Sequence, residues 1–190
     1  TLRRILFTLT TMSRNRSRRQ PHHKTQPRTA SSRAAQAPAK SLKPKRNVLR
    51  IYGLGGLEEV GRNCTVFEYN DSLVIVDIGL QFPEEDMPGI DYIIPNITSL
   101  RGREKQIRGI IITHGHLDHI GAISHLIEQL GNPPLFALPL TCGMIKRRHE
   151  EYGKRPLNLR AVRRDTRLTL GEFRAEFVGV SHNIPDSMAV

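Results

Sequence analysis

The run Gly109-Ile110-Ile111-Ile112 is followed at once by Thr113-His114-Gly115-His116-Leu117-Asp118-His119. Such an apolar run reads as a central strand of a sheet, covered on both faces. Three histidines and a carboxylate then fall within six residues. Loops at strand ends are where layered α/β folds place their functional groups. Neutral imidazole and carboxylate are ligands that suit zinc, and manganese where oxygen donors take part. His114 and His116 are two apart, so in an extended segment they point the same way. Asp118 and His119 open the next helix and approach from another side. One short stretch can therefore contribute to two adjacent metal ions. The competing reading, a polar loop with three unrelated histidines, is disfavoured by the density of ligand-type residues.

Charge divides the chain. It has 190 residues, 29 Lys and Arg, 18 Asp and Glu, and a formal net charge of +11. Residues 1–46 hold 13 of the Lys and Arg and none of the acids; residues 47–190 carry a net charge of −2. The basicity therefore belongs to an N-terminal tail, and the remaining 144 residues are long enough to bury a core. We divide the chain into a basic disordered tail, 1–46, and a domain, 47–190. No apolar run is long enough to span a bilayer. Two cysteines, Cys64 and Cys142, exclude a disulfide scaffold and fit a reducing compartment. Tryptophan is absent and aromatics are sparse, which argues against a surface built on stacked bases.

The tail is rich in Arg, Lys, Ser, Gln, Pro and Ala and cannot bury enough apolar surface to offset its ordering entropy. It reads either as a polycation that holds nucleic acid through phosphate contacts, with Arg14, Arg16, Arg18 and Arg19 as candidates, or as a solvated tail with no dedicated partner. An organelle transit peptide is the minor alternative to a cytoplasmic location. The chain starts at Thr1, its first methionine is Met12, and it stops at Val190 just as an apolar run begins. A fragment of a longer protein is the expectation.

Within the domain, short strands are expected at 48–52, 64–69 and 73–78, the last two joined by an Asn70-Asp71 turn. A loop covers 81–90. The central strand lies at 108–113 and a helix at 117–130, with Ile120, Ile123, Leu126, Ile127 and Leu130 at helical spacing. A second helix is expected at 140–152 and short strands at 157–162, 167–170 and 173–180. Strands first and last with helices between favour a layered α/β domain.

Two further positions carry chemistry. His182 follows a strand and precedes Pro185; beside the first cluster it becomes a candidate ligand. Asp77 closes the run Val74-Ile75-Val76 before Ile78-Gly79. It could orient a metal ligand from behind, or cap backbone amides at the strand end; spacing does not separate the two. His22, His23, His125 and His149 read as surface or helix-packing histidines.

These residues match a known family. His114-Gly115-His116-Leu117-Asp118-His119 is the HxHxDH signature of the metallo-β-lactamase superfamily, with Asp77 similar to its first motif and His182 to its third. More narrowly, Gly55-Gly56-Leu57-Glu58-Glu59-Val60-Gly61-Arg62-Asn63 and Ser181-His182-Asn183-Ile184-Pro185-Asp186-Ser187 resemble ribonuclease J, of the β-CASP branch. So do Phe82-Pro83, Pro88-Gly89-Ile90-Asp91 and Ile94-Pro95. The resemblance runs from about Val48 to Val190.

The resemblance implies an αββα sandwich with a site for two zinc ions, manganese or magnesium being possible instead. His114, His116 and His182 would hold one metal, Asp118 and His119 the other, and Asp77 would support them. Asp118 and His119 would also be the catalytic residues. The implied reaction is hydrolysis of RNA phosphodiesters, within chains and from a 5′ end, in RNA decay and maturation. The complete protein would be a homodimer or tetramer, without a membrane partner. The family's bridging aspartate, its final histidine ligand and the β-CASP domain have no counterpart within these 190 residues. The chain as given is therefore expected to be an inactive, incomplete N-terminal half of the sandwich. Two alternatives stay open: another hydrolase of the superfamily, of thioesterase or lactamase type, and a truncated product that only binds RNA.

Overall fold

Cys64–Tyr69 alternates buried and half-buried side chains, the period of a strand packed on both faces. It is β2 of a computed structural model that describes residues 47–152 and 155–190. β1 (Leu49–Gly55) and β3 (Ser72–Val76) flank it, both antiparallel. The β2–β3 turn puts Asn70 at φ 50°, a left-handed conformation that asparagine tolerates. β4 (Ile107–Ile111), β5 (Leu135–Ala137) and β6 (Leu159–Ala161) then join in parallel, completing a six-stranded sheet in chain order. Parallel neighbours need crossovers. The segment 77–106, with short 3-10 turns at Thr98–Leu100 and Glu104–Gln106, makes the first, α1 (Leu117–Ile120) and α2 (Ile123–Leu126) the second, and α3 (Pro139–Glu150) the third. A hairpin of β7 (Arg167–Leu170) and β8 (Phe173–Glu176) follows, then β9 (Val178–Gly179) paired with β10 (Met188–Ala189).

The register sorts the sheet's side chains onto two apolar faces. Cys64, Val66, Leu73, Ile75, Ile110 and Leu135 point to the helical side, where Ile123, Ile127, Leu130 and Ile145 cover them. Val74, Ile111 and Phe136 point the other way, toward Leu170, Ala175, Phe177 and Met188. Ile75 and Ile110, paired in register, are fully buried. The sheet is therefore a central layer, as the apolar run at Ile110–Ile112 requires, and the architecture is the expected mixed α/β one.

The expected helix over 117–130 is two short helices instead. The backbone of 78–80 competes for the hydrogen bonds a continuous helix would use. Ala122 N–H donates to Ile78 O (3.0 Å), and His119 O accepts from Ile78 N–H (2.9 Å). Leu80 packs against Gly121, and the i→i−4 ladder breaks there. Apolar spacing is unaffected, because both helices still face the sheet. The expected strand 173–180 also breaks, between β8 and β9, at Phe177, which turns into the second core. β5 is an addition: three residues lodged between proline and helix are too few to show a period. Among the described residues no helix is long and apolar enough to cross a membrane. The tail 1–46, with Arg14, Arg16, Arg18 and Arg19, lies outside the described residues.

Candidate metal centre

The floor of the site is built from backbone. After β3 the segment 77–80 runs along α1. Leu80 N–H donates to Leu117 O (3.0 Å) and Asn63 N–H to Asp118 O (3.0 Å), while Gly79 N–H donates to Asn63 O (2.9 Å). A Cβ at Gly79 would overlap the Asp118 carbonyl, so this approach needs glycine. The segment thus fixes where α1 begins, and with it where Asp118 and His119 point.

Asp77 makes the turn from β3 into this segment at φ 63°, a conformation that short polar residues tolerate best. It is buried and fully engaged. Oδ1 accepts the Thr113 N–H (2.8 Å), and Oδ2 accepts from Thr113 Oγ1 (2.9 Å) and His119 Nδ1 (2.8 Å). One carboxylate therefore caps a backbone amide beyond β4 and orients an imidazole. The two roles that spacing could not separate coexist in its geometry. With Nδ1–H given to Asp77, His119 Nε2 faces Asp118 Oδ2 at 3.3 Å. Asn63 Nδ2 donates to the same oxygen at 3.2 Å.

Thr113 sets His114. Its hydroxyl proton goes to Asp77, and its oxygen lies 3.0 Å from His114 Nδ1, from which it accepts. That leaves the Nε2 lone pair of His114 facing His116 Nδ1 at 3.0 Å. His182 arrives from the loop between β9 and β10. Met188 N–H donates to Thr113 O (3.0 Å), and Asp186 Oδ2 accepts the Leu140 N–H of α3 (2.9 Å), so the loop is tied to both β4's exit and α3. His182 sits edge-on to His114, ring centroids 4.6 Å apart, and 4.9 Å from His116. One ring nitrogen from each of His114, His116 and His182 lies within 4.8 Å of the others. His119 also packs on His114, its ring tilted by 45° with centroids 4.0 Å apart.

Such a cluster is stable only if its imidazoles are neutral or share a cation. Burial, then the neighbouring His119, His116 and His182, push His114 down to about 4. It stays neutral near pH 7 and offers a lone pair. For His119, burial acts to lower the pKa, but the Asp77 hydrogen bond and the charges of Asp77 and Asp118 outweigh it and the net shift is upward. Cys64 lies behind Asp77, and burial plus that negative charge push its thiol up to about 12. A thiol held protonated is no competing ligand. The donor set of imidazoles and carboxylates fits a divalent cation of the zinc kind.

Sequence reasoning missed two contributors. In the sequence Thr113 is marked only as the residue before the cluster, and Asn63 only as the last residue of the Gly55–Asn63 run. Asn63 reaches Asp118 from 55 residues away, and nothing in local spacing signals that. His149 is a packing histidine, as expected. Ser124 lies 3.0 Å from its Nδ1, and its Nε2–H donates to Arg155 O at 2.7 Å.

A sequence model described as the metallo-beta-lactamase superfamily matches residues 57–187. The chain belongs to the metallo-beta-lactamase superfamily. Among curated superfamily relatives it resembles ribonuclease J of Corynebacterium glutamicum, 40% identical over 144 residues, covering 76% of this chain and 20% of that protein. Ribonuclease J 1 of Streptococcus pyogenes serotype M3 is 38% identical over 151 residues, covering 79% of this chain and 26% of that protein. The chain thus spans a fifth to a quarter of the length of these relatives. In three dimensions it is similar to the Rm3 metallo-beta-lactamase, with TM-score 0.52 and 19% identity over 77% of this chain and 55% of that one, a likeness of fold. A superfamily fold carrying this histidine cluster is a divalent-metal site.

Replacing Asp77 by Asn tests the residue's electrostatic part. Asparagine also accepts the left-handed turn and keeps an oxygen for the Thr113 amide. The expected outcome is a nearly unchanged melting temperature and a 10- to 100-fold weaker divalent-metal affinity, about the cost of losing a partner that orients a ligand. Competition with a chromophoric chelator measures it. An unchanged affinity would reduce Asp77 to a strand-end cap.

Proposed function

We propose that residues 47–190 are the metal-binding part of a ribonuclease J-type enzyme that hydrolyses RNA phosphodiesters, from a 5′ end and within chains. The observation that carries it is the convergence of His114, His116 and His182 from two separate strand ends onto one point, beside Asp118 and His119. Identity of 37–40% to several ribonuclease J proteins supports the choice of RNA. Fold alone would not, since one fold hosts many chemistries.

In this reading His114, His116 and His182 hold one zinc ion, and Asp118 and His119 a second. A divalent cation bound there would supply Lewis acidity, activating a water and neutralising charge that develops on the phosphoryl oxygens. The chain's own residues do the rest. Thr113 keeps the His114 proton on Nδ1 and frees Nε2. Asp77 does the same for His119 and holds its ring in place. Asn63 fixes the Asp118 carboxylate. Preset donors need no rearrangement at the moment of reaction, which is what makes such stabilisation effective. The complete protein would act in the cytoplasm as a homodimer or tetramer.

The test uses the natural gene product purified from source cells. The expected result is cleavage of a 5′-monophosphorylated RNA that stops on chelation and returns with zinc or manganese. Histidine-dependent hydrolysis of a thioester or β-lactam, with RNA left intact, would move the chain to another branch of the superfamily. A product that binds RNA but cleaves none of these substrates would remove the catalytic reading.

A further inference from the structure

Beside the metal cluster, a groove of about 380 Å³ opens between α1 and α3. Gly115, His116, Leu117 and Met144 are on its walls, and Arg147 and Arg148 stand in it. His116 thus belongs at once to the cluster and to the groove. Arg147 is exposed, and neither arginine is ion-paired among the described residues; the nearby pair of the helix is Lys146 with Glu150, at 4.0 Å. Arg148 Nε is buried with no hydrogen-bond partner. Glu151 is the acid on the groove's wall, so the two guanidinium groups leave a net positive charge.

Arg148 links the groove to a second feature. Its guanidinium lies 6.0 Å from the centre of the Tyr152 ring. Tyr152 in turn packs on His125, centroids 4.9 Å apart, and His125 on Tyr92, 4.4 Å apart. Both tyrosines are exposed, Tyr152 by 37% and Tyr92 by 41%. The chain has only four tyrosines, and tertiary structure gathers two of them on one patch with an arginine at its end. Guanidinium groups beside exposed rings are what single-stranded nucleic acid needs, phosphates on the cations and bases on the ring faces.

We propose that this surface is a track for single-stranded RNA leading to the metal cluster: Arg147 and Arg148 hold backbone phosphates in the groove, and Tyr152 and Tyr92 stack bases beyond it. The choice of RNA over other polyanions rests on the function proposed above; the track's cations and rings rest on geometry alone. Duplex RNA, whose bases are already stacked on one another, cannot use the rings.

The test uses the metal-free 190-residue chain and a single-stranded RNA of roughly a dozen nucleotides carrying 4-thiouridine, crosslinked by light and mapped by mass spectrometry. Crosslinks are expected at Tyr152 or Tyr92 and on α3. Affinities at several salt concentrations give the second reading. Arg147→Ala with Arg148→Ala is expected to flatten the slope of log affinity against log salt by about 1.4, two phosphate contacts at about 0.7 each for single strands. Tyr152→Ala is expected to weaken binding about ten-fold with the slope unchanged, and Tyr152→Phe to restore it, since the ring face is kept. A merely structural role for the arginines would not move the slope. Crosslinks confined to residues 1–46, or a double variant with the parent slope, would overturn the track. No metal is present in this assay, so failure of the hydrolase reading shows separately, as absent cleavage by the natural gene product.

Discussion

His116→Ala is expected to cut divalent-metal affinity of the chain by at least a hundred-fold. The cluster offers three imidazole nitrogens within 4.8 Å of one another, and His116, in contact with both His114 and His182, supplies one of them. Structural zinc sites with four ligands gain roughly 10–16 kcal/mol at neutral pH, so one ligand of such a set is worth about 3 kcal/mol, two powers of ten. The side chain is only half-buried, at the groove, so the melting temperature of the metal-free protein should hardly move. The tail also contains histidines, and His22→Gln with His23→Gln serves as the control. Equilibrium dialysis against zinc decides the matter. Equal losses from the two variants would mean that the bound metal is not held by the cluster.

Gly79→Ala is expected to be the most damaging change of a single methyl group. The added carbon would overlap the Asp118 carbonyl and crowd the Asn63 amide. Relief requires 77–80 to part from α1, which strands the hydrogen bonds Leu80–Leu117, Asn63–Asp118 and Ile78–His119 together. Overpacking with backbone displacement costs about 3 kcal/mol or more, a fall in melting temperature of roughly 10 °C for a domain of this size. The matched control goes the other way. Gly143 lies in α3 with nothing near its absent Cβ, so Gly143→Ala should raise the melting temperature, by up to about 1 kcal/mol of helix propensity. Thermal unfolding followed by circular dichroism measures both. A Gly79→Ala protein that melts with the parent would mean that 77–80 does not run against α1 as described.

Metal affinity in the Asp77→Asn variant connects these two results. Asp77 is where the backbone turn that Gly79 continues and the hydrogen bond to His119 meet in one residue. A variant that keeps its melting temperature while losing metal would separate the electrostatic role from the architectural one.

The sequence by itself determined the strands with a clear period, the central place of β4, and the ligand-rich loop that follows it. Each of these is a local pattern: alternation, an apolar run, or residues of one chemistry packed within a few positions. The same patterns made the family resemblance visible, and with it Asp77 and His182 as candidates. Tertiary structure alone decided the break between α1 and α2, because the competitor for the helix's hydrogen bonds comes from some 40 residues upstream. It alone brought Asn63 to Asp118, and gave Asp77 contacts to both Thr113 and His119. It also placed Arg148, Tyr152, His125 and Tyr92 side by side, which composition had argued against. A spacing rule sees only neighbours along the chain. The reach of a side chain across packed elements depends on where the folded backbone puts its Cα, and that is fixed by the burial of the whole sheet.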